Sequence, residues 1–416
     1  MSEMIDFQPD TSIEGETELS SPETYGPNLI EWAIDRHASD LFISDAEQSV
    51  IVSVRRLGRI EIVRRLAKSY GHRLQGFFRV KVGADAGENI RPSEGRASIP
   101  TPNGGTVDMR LSALPTMHGQ DVAIRLFDPV SGARSLNQLG MDSHELGAIE
   151  NLLSADAGLV LVAGPVASGK SSSLYAMIDR LADGSRKIHT LEDPIEHSVA
   201  NVMQTQVNLR AGLDFPDLLT IILRHSPDVI MIGEIRDPQT AATAVRAGSS
   251  GQLVLATIHA KSAAEAVESM LHYGTNPKFL ASALSGVINQ RLVRKLCDEC
   301  REKIDTQVHV PEHIAYRLEN ETPAIFKAVG CGTCFEDGFH ELACVPEIMN
   351  VNDAIAEAIS NETTSAELVG IGREHGMLTL ADTAMVRVLN GTTTAQEANR
   401  IAPNPDLAAL AKLSAT

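Results

Sequence analysis

Residues Gly164-Pro165-Val166-Ala167-Ser168-Gly169-Lys170-Ser171 fit the pattern G-x-x-x-x-G-K-[ST], and their flanks narrow the fold more than any other stretch of this chain. GLVLVA (158–163) before them is apolar and of strand length, and SSSLYAMIDRLADG after them reads as a helix. A strand, a glycine-rich turn and a helix in that order make a phosphate loop. Gly164 permits the tight turn off the strand, and Gly169 lets the backbone approach a phosphate with no Cβ in the way. Successive N–H groups at the helix start then present positive potential to an anion. Lys170 adds a point charge for the β- and γ-phosphates, and the Ser171 hydroxyl can ligate Mg²⁺. The expected nucleotide cradle is therefore Gly164, Pro165, Val166, Ala167, Ser168, Gly169, Lys170, Ser171 and Ser172.

The surrounding grammar is α/β. After the loop helix come KIHTL (187–191), a helix around 214–225, DVIMIGEI (228–235), the helix PQTAATAVRAG and LVLATI (253–258). Continuous apolar strands alternating with helices predict a parallel sheet covered on both faces. Upstream, a short helix (29–38) and alternating strands such as 49–57 and 106–115 predict a small α+β domain over 25–128. Residues 1–24 carry no Lys or Arg and are expected to be a disordered acidic tail. Residues 129–141 read as a linker and 142–416 as the larger domain, ending in a helical region at 346–402.

Composition excludes several roles. The net charge of −18 and the 4% aromatic content disfavour a protein that tracks or stacks on nucleic acid. No apolar run approaches the roughly 18 residues that span a bilayer, and the acidic N-terminus does not resemble a secretory signal. A cytoplasmic chain, peripheral to the membrane at most, is expected.

Five cysteines fall between 297 and 344. Cys297 and Cys300 form one C-x-x-C pair, Cys331 and Cys334 another. Four thiolates so spaced can close a tetrahedral structural Zn²⁺ site within a module over 294–345. Cys344 is left as a small core residue.

Two acidic segments carry polar groups at the ends of predicted strands, where ligands bind in open α/β sheets: Thr190-Leu191-Glu192-Asp193-Pro194-Ile195-Glu196, and 228–237 with Gly233-Glu234-Ile235-Arg236-Asp237, whose Asp228 lies at the wrong end of its strand. Glu234 is the candidate to orient water in line with a γ-phosphate. Such acids can equally cap the next helix. His259 ends LVLATIH, and its spacing alone fits a structural residue as well as a functional one.

Together these motifs resemble the secretion ATPases of the type II secretion and type IV pilus assembly class, the GspE/PulE/PilB group. GPVASGKSSSLYA resembles that family's Walker A, HTLEDPIEH its Asp box, and LRHSPDVIMIGEIRDPQTAATAVRAG its Walker B with Gly for Asp. GQLVLATIHA resembles its His box, INQRLVRKLCDEC with VGCGTCFEDGF its tetracysteine module, and VDMRLSALPTMHGQDVAIRLFD its arginine-bearing segment. The likeness runs from about residue 25 to 402.

The resemblance implies a RecA-like P-loop ATPase domain behind a small PAS-like α+β domain, assembled as a homohexamer. It implies that Glu234 activates water, Glu192 assists, and His259 senses nucleotide state. Arg110 and Arg125 match arginine fingers, with Arg96 a third candidate; taken alone, each would pass for a solvated surface charge. ATP, Mg²⁺ and structural Zn²⁺ are the implied cofactors. An inner-membrane platform protein and a cytoplasmic docking protein are the implied partners. The four cysteines favour assembly or secretion over retraction. Val166 and Ala167 stand for the usual Thr and Gly, Gln252 for the first His-box histidine, and Ala260-Lys261 for Thr-Asn. The family's N-terminal docking domain is expected to be missing, since the residues before 25 are too few to fold as one, and this favours a pilus system slightly over secretion. The competing readings are a nucleotide-binding scaffold without turnover and a DNA-translocating motor.

Overall fold

The computed structural model describes residues 13–14, 19–87, 90–127, 134–306, 308–318 and 323–413. It divides into two compact units, Met1–Gly132 and Ala133–Thr416.

The first unit contains β1 (Ile13–Glu14), α1 (Pro22–Asp35), β2 (Ala38–Asp45), β3 (Val50–Arg56) and β4 (Arg59–Leu66). It continues with α2 (Lys68–Lys81), β5 (Ser93–Pro100), β6 (Thr106–Thr116) and β7 (Gly119–Phe127). The strands form one sheet in the order β1-β4-β3-β2-β7-β6-β5, antiparallel except for β1 with β4. Alternation decides its faces. Val107, Met109, Leu111 and Ala113 of β6 are buried, while the residues between them turn away from the core. Tyr25, Leu29, Ile30 and Ala33 of α1 pack on that buried face with Tyr70, Leu74 and Phe78 of α2.

The first unit differs from the sequence expectation at its start and at α2. The supposed tail is structured where it is described: Ile13–Glu14 pair with Arg65 and Leu66, and α1 starts at Pro22 rather than at 29. The rest of that segment, 1–12 and 15–18, lies outside the described residues. Pro22 explains the early start, because at the first turn its missing N–H is no loss and its φ is already helical. Helix α2 had no expected counterpart. Its mean hydropathy is low, and only the spacing of Tyr70, Leu74 and Phe78 marks the buried stripe.

The second unit begins with α3 (Ser143–Leu153), β8 (Gly158–Ala163), α4 (Lys170–Leu181), β9 (Ile188–Glu192) and β10 (Val202–Gln206). Then come α5 (Phe215–Leu223), β11 (Val229–Ile232), α6 (Pro238–Ser249), β12 (Leu253–Ile258), α7 (Ala263–His272) and α8 (Pro277–Ala283). The long strand β13 (Leu284–Leu296), the two-residue strands β14 (Glu302–Lys303) and β15 (Phe326–Lys327), and the long strand β16 (Phe339–Asn350) follow. Helices α9 (Asp353–Ser360), α10 (Ser365–Glu374), α11 (Leu380–Leu389), α12 (Ala395–Ile401) and α13 (Pro405–Leu413) complete it.

Its main sheet has the order β10-β9-β11-β12-β8-β13-β16. Every residue of β8, β9, β11 and β12 is buried, as a sheet covered on both faces requires. α5 to α10 cover one face, and α3 and α4 the other. The sheet is mixed rather than purely parallel, since β13 runs parallel to β8 but antiparallel to β16. The cysteine segment is therefore an excursion between two strands of the main sheet, inside the larger unit. Residues 346–350 belong to β16, so the helical region starts later than expected. The helical region is also broken between α9 and α10. Glu362 takes a left-handed φ of 53°, and Thr364 with Glu367 forms a capping box that starts α10. At the other end, Leu136, Leu139 and Met141 of the expected linker are buried against α3 and α4.

Buried ion pairs fasten the C-terminal helices. Arg294 of β13 donates to Glu397 of α12 at 3.0 Å and to Asp337 at 3.1 Å. Burial alone would raise the Glu397 pKa, but the bonds from Arg294 and Arg400 outweigh it and hold it at about 2. Arg317 donates to Glu145 of α3 at 2.9 Å, and Arg387 of α11 bonds the same carboxylate. Removing one member would strand a buried charge.

Candidate functional site

Strands β8, β9, β11 and β12 are parallel, so their carboxyl ends lie along one edge of the sheet. That edge carries the phosphate loop, Glu192, Glu234 and His259. Gln252 and Asp228 precede β12 and β11 and lie at the opposite edge. Roughly 20 Å of strand separates Gln252 from His259, so its departure from the histidine pattern does not touch this site.

The loop needs its glycines. Gly164 has φ 148°, and a Cβ there would fall 2.5 Å from Ser168 Oγ and 2.7 Å from the Gln290 carbonyl oxygen. Gly169 caps α4 at φ 86°. Ala167 also sits in the left-handed region, at φ 61°, where an L side chain costs about 1 kcal/mol. Pro165, Val166 and Ala167 are exposed, and Ser171 and Ser172 open the first turn of α4. Among the described residues the buried Ser168 hydroxyl finds no hydrogen-bond partner, the kind of orphan that a bound phosphate oxygen satisfies.

Lys170 is folded back on its own loop. Its Nζ donates to the carbonyls of Gly164 at 2.9 Å and Pro165 at 3.0 Å. Burial lowers its pKa, and the charge of Glu234 partly offsets this. Behind the loop, Gln290 of β13 is 1% exposed. Its Nε2 donates to the Ser168 carbonyl at 2.9 Å, and its Oε1 accepts from Ser173 Oγ at 2.9 Å. Gln290 thus braces both the loop and α4, a role no motif announced.

Glu234 stands two residues beyond β11 with its side chain 14% exposed. Its Oε1 lies 2.7 Å from His259 Nε2. His259 Nδ1 in turn lies 3.3 Å from the Gly164 carbonyl, so one imidazole bridges the acid to the loop. Its neutral ring could donate to only one of these two acceptors at a time. Glu234 Oε2 accepts from Arg236 Nε at 2.7 Å. Gly233 is close to β9: a Cβ there would sit 3.1 Å from the Leu191 carbonyl oxygen, which leaves little room for a Walker B aspartate.

Glu192 behaves differently. It is 3% exposed, and its carboxylate accepts from Thr190 Oγ1 at 2.5 Å, Gln204 Nε2 at 3.2 Å and the Tyr175 hydroxyl. Burial and this bond to Glu192 raise the Tyr175 pKa. Tyr175 lies on α4, so Glu192 ties the loop helix to β9.

Arg110 and Arg125 belong to the first unit. Arg96, Arg110 and Arg125 stand directly opposite one another across β5, β6 and β7, on the face turned away from the core. Asp40 of β2 continues this row, accepting from Arg125 Nε at 3.2 Å. The row depends on register, which single arginines in a sequence do not reveal.

The four cysteine sulfurs lie within 4.8 Å of one another. Cys297–Cys331, Cys300–Cys334 and Cys331–Cys334 are separated by 3.9, 3.8 and 3.7 Å. A tetrahedron with Zn–S bonds of about 2.3 Å has edges of about 3.8 Å, so the cluster can hold a metal ion of that kind. Backbone N–H groups of Gly330 and Gly338 donate to the sulfurs of Cys300 and Cys334 at 3.3 and 3.2 Å. The Cys334 backbone N–H holds the Cys331 thiol down at about 7, whereas burial pushes Cys300 up to about 12. Cys344 is buried in the core beside β8 and α4. Among the described residues, no helix is long and apolar enough to cross a membrane.

A family model described as type II/IV secretion system protein matches residues 17–400. The chain is 35% identical over 370 residues to the type II secretion system protein E of Pseudomonas aeruginosa, covering 89% of this chain and 73% of that protein. It is 31% identical over 383 residues to the type IV pilus assembly ATPase PilB of Thermus thermophilus, covering 92% of this chain and 43% of that one. Among solved structures, the Legionella pneumophila ATPase DotB has a TM-score of 0.67 at 18% identity, covering 95% of this chain and 99% of that one. The pilus retraction motor PilT with bound ADP has a TM-score of 0.61 at 24% identity, covering 91% and 97%. These two likenesses show the fold. The family match over nearly the whole chain, joined to the phosphate loop and its acid, identifies this chain as an ATP-hydrolysing member of the type II/IV secretion system protein family.

Proposed function

We propose that this ATPase works as a homohexameric motor for type IV pilus assembly or type II secretion, acting from the cytoplasm on an inner-membrane platform through partner proteins. The observation that carries the catalytic reading is the His259 bridge, which joins the water-orienting acid to the phosphate loop through contacts of 2.7 and 3.3 Å. In this reading Gly164 to Ser172 cradle ATP, and Lys170 leaves the loop carbonyls for the β- and γ-phosphates. Glu234 orients the attacking water and takes its proton. Glu192, with its oxygens already engaged, positions α4 against β9. Arg110 and Arg125 close over the nucleotide and compensate phosphate charge, with two-point guanidinium contacts suited to the task. Contacts to the γ-phosphate favour the closed arrangement and are lost on hydrolysis, so each turnover moves one unit against the other.

Ser171 would hold Mg²⁺, which when bound supplies positive charge to the β- and γ-phosphates. Cys297, Cys300, Cys331 and Cys334 would hold structural Zn²⁺, which when bound fixes the two C-x-x-C turns together. The cysteine cluster favours assembly or secretion over retraction. Solution scattering tests the motor reading: a non-hydrolysable ATP analogue should change the distance distribution between the units. Identical curves with and without nucleotide would contradict it.

A further inference from the structure

The β11–α6 connection holds a cation with no role in the reading above. Ile235 is buried, and its N–H donates to the Thr257 carbonyl at 2.9 Å. Asp237 caps α6 by accepting from the Thr240 N–H at 2.8 Å. Between these two anchors, Arg236 projects beside Glu234. Its Nε donates to Glu234 Oε2 at 2.7 Å, and its Nη2 approaches the same oxygen. His259 occupies Oε1. One oxygen of the carboxylate is therefore filled by a cation and the other by the imidazole.

We propose that Arg236 is a restraining latch on Glu234, keeping the acid from acting as a base until the guanidinium swings away. The inference rests on the reading of Glu234 as the residue that activates water. Arg236 can leave without disturbing the core, because its side chain is 62% exposed. The negative charge of Asp193 also acts on it and offers a second anion to turn to. With the latch open, the water oxygen bonds to the γ-phosphorus and the bond to the bridging oxygen breaks. The electron pair leaves with ADP, and the water proton goes to the freed Glu234 carboxylate. With the latch shut, ATP can bind but water is poorly activated. This device would keep an idle motor from consuming ATP.

The test is single-turnover hydrolysis and ATP affinity in the full chain, comparing wild type, Arg236→Gln, Arg236→Lys, Glu234→Gln and the Arg236→Gln/Glu234→Gln double variant. Arg236→Gln should speed single-turnover hydrolysis by roughly threefold or more with ATP affinity unchanged. Arg236→Lys, which keeps the charge but loses the planar fork, should fall between it and wild type. The double variant should be as slow as Glu234→Gln alone. A rate for Arg236→Gln at or below wild type overturns the latch while leaving Glu234 in place. An acceleration that survives in the double variant also overturns it, because the effect then bypasses Glu234. Wild-type turnover in Glu234→Gln removes the reading on which the latch is built.

Discussion

The phosphate loop and the cysteine cluster are both short glycine-punctuated turns, yet they treat their polar groups in opposite ways. Around the loop, Lys170 bonds its own carbonyls, the Ser168 hydroxyl has no partner among the described residues, and Ala167 is held in a left-handed conformation. In the proposed mechanism these groups are provisional and exchange partners when a phosphate arrives. Around the cysteines, the sulfurs already stand at metal-site separations and backbone N–H groups point at them. Arg294, Glu397 and Asp337 lock the same segment to α12. The first region is arranged for turnover and the second for permanence, although one long hairpin, β13 with β16, connects them.

That contrast can be broken most forcefully at the cysteines. Cys297→Ser should abolish stoichiometric zinc and lower the melting temperature by about 10 °C or more, because metal binding energy is folding energy in such a cluster. ATP affinity, measured on the protein that remains folded, should stay within about twofold. A parallel collapse of ATP affinity would show that the two regions are not separable; zinc-free wild-type protein would end the metal assignment.

Gln290→Ala tests the brace behind the loop. It leaves Ser173 and the Ser168 carbonyl without their buried partner and should cost about 1–3 kcal/mol, seen as a lower denaturant midpoint and weaker ATP binding. A stability loss with unaltered ATP binding would mean that the brace serves the core alone. Smallest is Ala167→Gly. It relieves the left-handed strain and should raise the melting temperature by about 2 °C, with no loss of ATP affinity. A fall in stability would show that the strain is not real.

How much of this could be read beforehand followed from whether the signal was local. β8 and β12 are six-residue apolar runs, and their observed limits agree with the expected ones. The phosphate loop carries its chemistry within eight consecutive residues. β13 was illegible because Asn289, Gln290 and Arg294 look like loop residues, yet each is buried and bonded to partners far along the chain. The antiparallel β13–β16 pairing is likewise a long-range event with no mark in either segment. Arg236 was visible two residues after Glu234, but only the fold shows that it bonds the same carboxylate. The alignment of Arg96, Arg110 and Arg125 depended on strand register in the same way.

The central claim is that Glu234 turns a bound triphosphate over without being needed to bind it. Its most direct test is Glu234→Gln, with ATP affinity and steady-state hydrolysis measured side by side on the full chain. The account predicts affinity within about twofold of wild type and hydrolysis reduced by roughly 100-fold or more. Hydrolysis at the wild-type rate, or a loss explained entirely by weakened binding, would contradict it.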